Sequence, residues 1–285
     1  MWRNPNAATT TMINTLTTYL GYEFVQNALI AGTLSAILGA IVGYFVIIRN
    51  AGFAAHALSH IGFAGAAGAA ILGLSTLEGM LLLTVGAGLF MGAVGDKLER
   101  RDLAIGMVLS FSLGLGTLFL KLYSTYAGEA KAILFGDIFG VSHSQVVEMI
   151  VLSLLSLAGL AVFSRKLLFT STQPRLAEAR GLSLPGISMA FMTVLAISVT
   201  LASQIVGVLL VFTLVIAPAG IALRLCRSFW SGILVSVALG VVAVWIGILL
   251  DCVTGYPATF WITALFFIIY LGGEAYCRFF ARTDH

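Results

Sequence analysis

The chain has 285 residues, of which 60% are hydrophobic and only 9% are charged, and its net charge is +3. Its mean hydropathy of +1.05 lies far above that of water-soluble globular domains and excludes that class. Apolar runs long enough to cross a hydrocarbon layer of roughly 30 Å recur along nearly the whole chain. The sequence therefore predicts a single integral membrane domain and no nucleic-acid partner.

The N-terminal 21 residues are rich in Thr and Asn and lack the basic-then-apolar order of a signal peptide. We expect them to be retained as a polar tail. A single transmembrane domain is predicted over 22–276, followed by a cytoplasmic tail over 277–285.

Charges, prolines and polar clusters divide the apolar runs into about nine segments, each close to the roughly 20 residues that a spanning helix needs. The predicted fold is all-α, with eight to nine transmembrane helices. Eight result if 187–223 forms a hairpin that does not cross the membrane twice. The predicted spans are 22–48, 51–73, 76–95, 103–120, 143–164, 187–202, 205–223, 229–250 and 258–276.

The distribution of Lys and Arg predicts the orientation, because cytoplasmic loops carry an excess of these residues. With the N-terminus outside and the C-terminus inside, only Arg3, Lys121 and Lys131 are external. The cytoplasmic set then holds 12 of the 15 cations: Arg49, Lys97, Arg100, Arg101, Arg165, Lys166, Arg175, Arg180, Arg224, Arg227, Arg278 and Arg282.

Two connections are predicted to carry structure of their own. The outer connection 121–145 contains an apolar piece, 132–141, that is too short to span and is typical of a re-entrant or interfacial helix. The cytoplasmic connection 164–186 has Pro174 at a helix-start position and Gly181 at a helix-end position. A short helix on the inner face is predicted between them.

Small residues recur at helix-packing intervals, which favours close approach of helices in lipid. Segments 51–73 and 76–95 are predicted to be inner, protein-facing helices on this basis. The glycines concerned are Gly39 with Gly43, Gly88 with Gly92, and Gly62 with Gly65 and Gly68.

The second predicted span carries two of the four histidines, His56 and His60, with Ser59 between them. Residues four apart share one face of a helix. Counted from the inner membrane boundary near Asn50 at 1.5 Å per residue, His60 would lie about 15 Å deep. Ionisable groups at that depth point to function, and paired imidazoles suit a transition-metal ion or a proton path that Ser59 would also line. The alternative is that both rings hydrogen-bond neighbouring helices. On the outer side, Glu129, Asp137 and His143 form either an entrance funnel or solvated loop charges.

The second span reads AHALSHIGFAG and is similar to a signature of the type GDALSHAVLPG, found in the permeases of bacterial ATP-binding-cassette importers for manganese, zinc and iron. Three further stretches resemble that family in the same order: ILFGDIFGVS from Ile133, QPRLAEARGL from Gln173 and VGVLLVFTLVIAPAGIAL from Val206. The signature agrees at Ala57, Leu58, Ser59, His60 and Gly65, whereas His56 occupies the position of the family's Asp.

The resemblance implies a translocation subunit of the bacterial cytoplasmic membrane rather than an enzyme. A G-x-x-x-x-G-K-[ST] phosphate loop is absent from the sequence, so ATP would be hydrolysed by separate cytoplasmic subunits. A periplasmic or extracellular metal-binding protein and a second copy of the chain are the other implied partners. The implied ATPase-coupling element comprises Gln173, Pro174, Arg175, Ala177, Glu178 and Gly181.

The departures from the family pattern bear on the transported ion. An imidazole in place of a carboxylate at position 56 favours Zn²⁺ over Mn²⁺ or Fe²⁺, and no permanently bound cofactor is expected. Two alternatives stay open: a proton-coupled secondary carrier that titrates the same histidines, and a non-transporting scaffold.

Overall fold

The computed structural model describes residues 18–94, 98–122 and 133–280, and within these ranges it contains helices and turns but no β-strand. We number the main helices in chain order. They are α1 (Glu23–Ile48), α2 (Gly52–Leu72), α3 (Thr76–Ala93), α4 (Leu98–Leu122), α5 (His143–Thr172), α6 (Pro174–Ala179), α7 (Leu184–Val206), α8 (Val208–Leu225), α9 (Phe229–Thr254) and α10 (Ala258–Phe280).

Seven helices in the described ranges are long and apolar enough to cross a membrane: α1, α3, α4, α5, α7, α8 and α9. Helix α2 has 21 residues, and α10 begins with the apolar stretch Ala258–Gly273. The all-α polytopic fold class is therefore confirmed. The choice between eight and nine crossings and the N-out orientation stay predictions.

The core lies around α1, α2 and α7, whose side chains are largely enclosed by the other helices. Helix α2 packs against α3, α4, α7 and α8, while α1 packs against α7, α8 and α9. The predicted inner position of α2 is confirmed by the burial of most of its described residues. Helix α3 has two different faces: its glycine face is buried, whereas Leu82 and Phe90 are more than half exposed.

Glycines permit direct backbone contact between these helices. A β-carbon on Gly65 of α2 would overlap the carbonyl oxygen of Gly79 in α3, and one on Gly43 of α1 would overlap the carbonyl oxygen of Val215 in α8. Since lipid tails are as apolar as the helices, close packing of this kind replaces the hydrophobic drive of water-soluble proteins. The predicted packing role of these two glycines is confirmed.

The chain reverses between α1 and α2 over very few residues. Asn50 has φ +52°, and its N–H donates to the Ile47 carbonyl at 3.0 Å, while the Ala51 N–H donates to the Val46 carbonyl at 2.8 Å. These two bonds form a Schellman motif, for which Asn is a suitable residue because it tolerates the left-handed conformation. The first turn of α2 is consequently held in a defined position relative to the end of α1.

Two predicted segments differ most from the structure. Helix α5 continues to Thr172 instead of ending near residue 164, because Arg165 and Lys166 are compatible with a helix and the first breaker is Pro174. The predicted helix over 132–141 is limited to one turn at 133–135, after which Gly136 with φ +82° begins a series of turns. Residue 132 lies outside the described ranges. Whether this segment is re-entrant stays a prediction.

Replacing Gly65 with Ala is expected to destabilise the protein by about 1–3 kcal/mol, because the added methyl group forces α2 and α3 apart. The thermal unfolding midpoint of the detergent-purified protein measures the effect. Gly86→Ala in α3 is the matched control, since nothing lies within 4 Å of a β-carbon there. Equal midpoints for the two variants would show that the contact between Gly65 and Gly79 does not hold the helices together.

Candidate functional site

The two histidines lie in the first half of α2, at its fifth and ninth residues. His60 is thus roughly 12 Å along the axis from the first residue of the helix. Their ring centroids are 4.7 Å apart, and the ring planes meet at 80°. The predicted pairing of His56 and His60 on one side of a helix is therefore present in the structure.

The pair is directed towards α8. The ring of His56 lies edge-on to that of Phe212, with the two centroids 5.4 Å apart. Both imidazoles are half-buried in the single chain. Ser59 is fully buried, and its hydroxyl donates to the His56 carbonyl of the same helix at 2.7 Å. Its predicted contribution to a path stays a prediction.

Neither imidazole ring forms a hydrogen bond with any of the residues that the structure describes. This observation weakens the alternative in which the rings bond to carbonyls or hydroxyls of neighbouring helices. The contacts of the pair are instead ring to ring, which leaves imidazole nitrogens for an external ligand. Neutral imidazole nitrogen is a ligand for zinc, copper, nickel and iron.

The pair is not a complete metal site within one chain. In the part of the chain that the structure describes, no three His, Cys, Asp or Glu side chains are grouped so that they could hold a metal ion. Zinc sites in proteins have three or four protein ligands. Two nitrogens on one helix can therefore form a transient site, or part of a site that another chain or water completes.

The short helix α6 matches the predicted coupling element in position and limits. Pro174 is its first residue, and Gly181 follows it with φ +77°. The Leu182 N–H donates to the Ala177 carbonyl at 3.1 Å. Ala177 is fully buried, which fixes α6 on the protein. The other predicted coupling residues, Gln173, Arg175, Glu178 and Gly181, are exposed, as is Pro174.

The two predicted entrance residues that the structure describes, Asp137 and His143, do not contact the histidine pair. Asp137 is exposed at a turn, where its Oδ1 accepts from the Gly140 N–H at 3.0 Å. It lines a small cavity of about 130 Å³ together with Gln145, Met149 and Gln204. His143 is exposed at the start of α5, and Glu129 lies outside the described residues. An entrance at this place stays a prediction.

The segment that carries Asp137 is packed on the junction between α7 and α8. Gly136 and Gly207 both have positive φ, +82° and +80°, and a β-carbon on Gly207 would overlap the backbone nitrogen of Gly136. The Asn27 side chain of α1 donates to the Val141 carbonyl at 3.3 Å. Three parts of the chain therefore meet at this point: α1, the segment from Gly136 to Val141, and the junction between α7 and α8.

Sequence reasoning did not identify Phe212 or Gln204 as site residues. Phe212 stands among aliphatic residues in the stretch from Val206, and nothing in that pattern indicates contact with His56. Gln204 could have been recognised as a candidate, because an amide side chain near the end of an apolar run is energetically costly without a hydrogen-bond partner. Its neighbours come from distant parts of the chain, so only the fold shows them.

A comparison with protein-family models gives a match to the ABC 3 transport family over residues 21–276. The chain belongs to the ABC 3 transport family. The resemblance to permeases of bacterial ATP-binding-cassette importers is thereby confirmed. The protein is a multi-pass transport component, and no enzyme family is indicated.

Relatives and solved structures agree with this assignment. The chain is 29% identical to the manganese transport system membrane protein MntC of Listeria innocua, covering 88% of this chain and 91% of that protein. It is 30% identical to a probable iron transport system membrane protein of Haemophilus influenzae, covering 88% and 94%. The structure of PsaBC from Streptococcus pneumoniae in complex with Fab matches with a TM-score of 0.81 and 27% identity, covering 93% of this chain and 95% of that chain.

Changing Gly207 to Ala is expected to destabilise the protein by about 1–3 kcal/mol, because φ +80° with ψ 159° is a glycine conformation. The added methyl group would also displace the segment at Gly136. Denaturation followed by intrinsic fluorescence measures the loss. The control is Gly159→Ala in α5, where nothing lies within 4 Å of the new β-carbon. If both variants unfold at the wild-type midpoint, the packing of the Gly136 segment on Gly207 does not stabilise the protein.

Proposed function

We propose that the protein is the translocation subunit of an importer that moves a divalent transition-metal ion across the bacterial cytoplasmic membrane. The observation that carries the proposal is the pair of half-buried imidazoles, 4.7 Å apart on one helix and without hydrogen bonds to described residues. The names of the relatives, which refer to manganese and iron transport, support a metal ion as the substrate.

The partners follow from the chemistry that this chain lacks. ATP is hydrolysed by separate ATPase subunits, which dock on α6 through the exposed Gln173, Arg175 and Glu178. A metal-binding protein delivers the ion on the outer side, where Asp137 and His143 are exposed. Two copies of the chain form the path. This arrangement brings four imidazoles together and completes a site for which one chain supplies only two ligands.

Affinity at the pair has to be low enough for release, because a path must discharge the ion that it binds. His56 and His60 therefore hold the ion transiently while the helices around them move. Ser59 is fully buried beside them on α2, and its hydroxyl would have to leave the His56 carbonyl to reach the ion.

We favour Zn²⁺ as the transported ion because both ligands of the pair are nitrogen donors. Mn²⁺ prefers carboxylate, carbonyl and water oxygen, whereas imidazole suits zinc. Manganese is the second candidate, since the MntC relative is named for manganese. The chemistry of the pair and the names of the relatives thus point to different ions, and uptake measurements decide between them.

The complete importer, reconstituted in vesicles, is expected to take up radioactive zinc in an ATP-dependent manner. The His56→Ala, His60→Ala double variant should lose nearly all of this uptake, because the path loses its nitrogen ligands. Uptake should continue when the proton gradient is collapsed. Uptake that stops with the gradient but needs no ATPase subunit would instead identify a secondary carrier.

The matched control for the double variant is His285→Ala, which removes a histidine outside the predicted spans. It should transport zinc at the wild-type rate. Wild-type uptake in the double variant would contradict the site assignment. A loss of thermal stability without a change in transport would favour the alternative in which both rings only hold neighbouring helices together.

Replacing His56 with Asp is expected to shift the preference of the importer from zinc towards manganese. The change turns a pair of nitrogen donors into one oxygen and one nitrogen donor, the combination in the family signature. Competition between the two ions during uptake measures the ratio, which should change by at least about tenfold, or about 1.4 kcal/mol. His56→Asn is the uncharged control. If His56→Asp and wild type show the same ratio of zinc to manganese uptake, the histidine pair does not determine selectivity.

A further inference from the structure

Arg49 occupies the junction of three helices at the end of α1. Its Nη1 donates to the Thr170 hydroxyl at 3.4 Å and to the Ser171 hydroxyl at 3.3 Å, both in the last turn of α5. Its Cζ lies 5.6 Å from the ring centroid of Phe191 in α7, a distance at which a cation and an aromatic face attract each other. One guanidinium group therefore connects the ends of α1 and α5 with α7.

The end of α5 leads directly into the short helix α6, with only Gln173 between them. Helix α6 is also fastened to α5 by a side-chain contact, since the Cζ of Arg180 lies 5.3 Å from the ring centroid of Phe169. Ala177 of α6 is fully buried against the rest of the protein. A displacement of α6 will therefore displace the last turn of α5, which contains the hydroxyl groups that Arg49 contacts.

On its other side, Arg49 is joined to the histidine helix by the Schellman turn at Asn50. Ala51 is nearly fully buried, and its carbonyl accepts from the Ala55 N–H at 3.0 Å in the first turn of α2. His56 is the next residue along the chain. Between the guanidinium contacts and the first imidazole, the chain contains hydrogen-bonded backbone and no flexible loop.

We propose that Arg49 is a positioning residue that transmits movement of α6 to the helix carrying His56 and His60. This inference rests on the proposed function, in which ATPase subunits dock on α6. Arg is suited to this position because its planar group donates to two hydroxyls while its face covers an aromatic ring, and Lys offers a point charge without that geometry. Arg49 is not among the residues assigned to ion binding or to docking of the ATPase, so its proposed effect is on coupling.

The test compares zinc-stimulated with basal ATP hydrolysis in the complete importer, using wild type and Arg49→Gln in vesicles with zinc-loaded binding protein. The ratio of stimulated to basal hydrolysis should fall at least about fivefold, the lower end of typical coupling between sites. Zinc uptake per ATP should fall with it, while basal hydrolysis remains. Arg227→Gln is the matched control, because Arg227 is exposed in the link between α8 and α9 and should keep the wild-type ratio.

A second variant tests the same contact from α5. Thr170→Val with Ser171→Ala removes both acceptor hydroxyls and leaves Arg49 in place, so the ratio should fall in the same direction. Combining it with Arg49→Gln should cause little further loss, because contacting residues are not additive. Arg49→Lys should restore part of the ratio.

The outcomes separate this inference from the proposed function. If the wild-type importer takes up no zinc, manganese or iron with ATP, the proposed function is wrong. If the wild type transports and the α5 variant keeps the wild-type ratio, the role of Arg49 is wrong while the function stands. A fall in basal hydrolysis and unfolding temperature in proportion to the coupling ratio would show that Arg49 has only a structural role.

Discussion

Direct backbone contact between α2 and α3 is the constraint on which the rest of the arrangement depends. A membrane supplies no hydrophobic drive for helix association, so α2 is held by approach at Gly65 and Gly79 that any side chain would prevent. With 3.6 residues per turn, Gly65 lies roughly 140–180° around the helix from the two histidines. Fixing the glycine side of α2 therefore directs the imidazole side towards α8 and Phe212.

Much of the fold could be predicted from the sequence because the membrane limits the solutions to long apolar helices. Each predicted span falls on a helix, and the spacing of His56 and His60 alone placed both rings on one side. The predicted end of α5 was wrong because charges mark where lipid ends, and a helix can continue into water until a breaker such as Pro174. The predicted helix over 132–141 was wrong for another reason. Gly136 takes its conformation together with Gly207, more than 70 positions away, and such a pairing is invisible in a local pattern.

The candidate site was predictable only in part. Imidazole spacing is a property of one helix, so it could be predicted, whereas the contact between His56 and Phe212 depends on how α8 packs against α2. The contacts of Arg49 could not be predicted either. The sequence showed a cation at the end of a span, but its hydroxyl and aromatic partners come from residues 170, 171 and 191. The identity of the ion depends on donor atoms, and here the donor atoms differ from the family signature at one position.

Because His56 and His60 belong to a single unbroken helix, the distance between their α-carbons is the same in every state in which that helix stays intact. A permease that binds its ion at this pair, as proposed, must nevertheless hold the ion at one stage and release it at another. The change in affinity therefore has to arise from what stands across from the two rings, namely α8 with Phe212 or groups from another chain. In the proposed function, loading and discharge then follow from movement of α2 relative to α8, while the spacing of the two α-carbons stays constant.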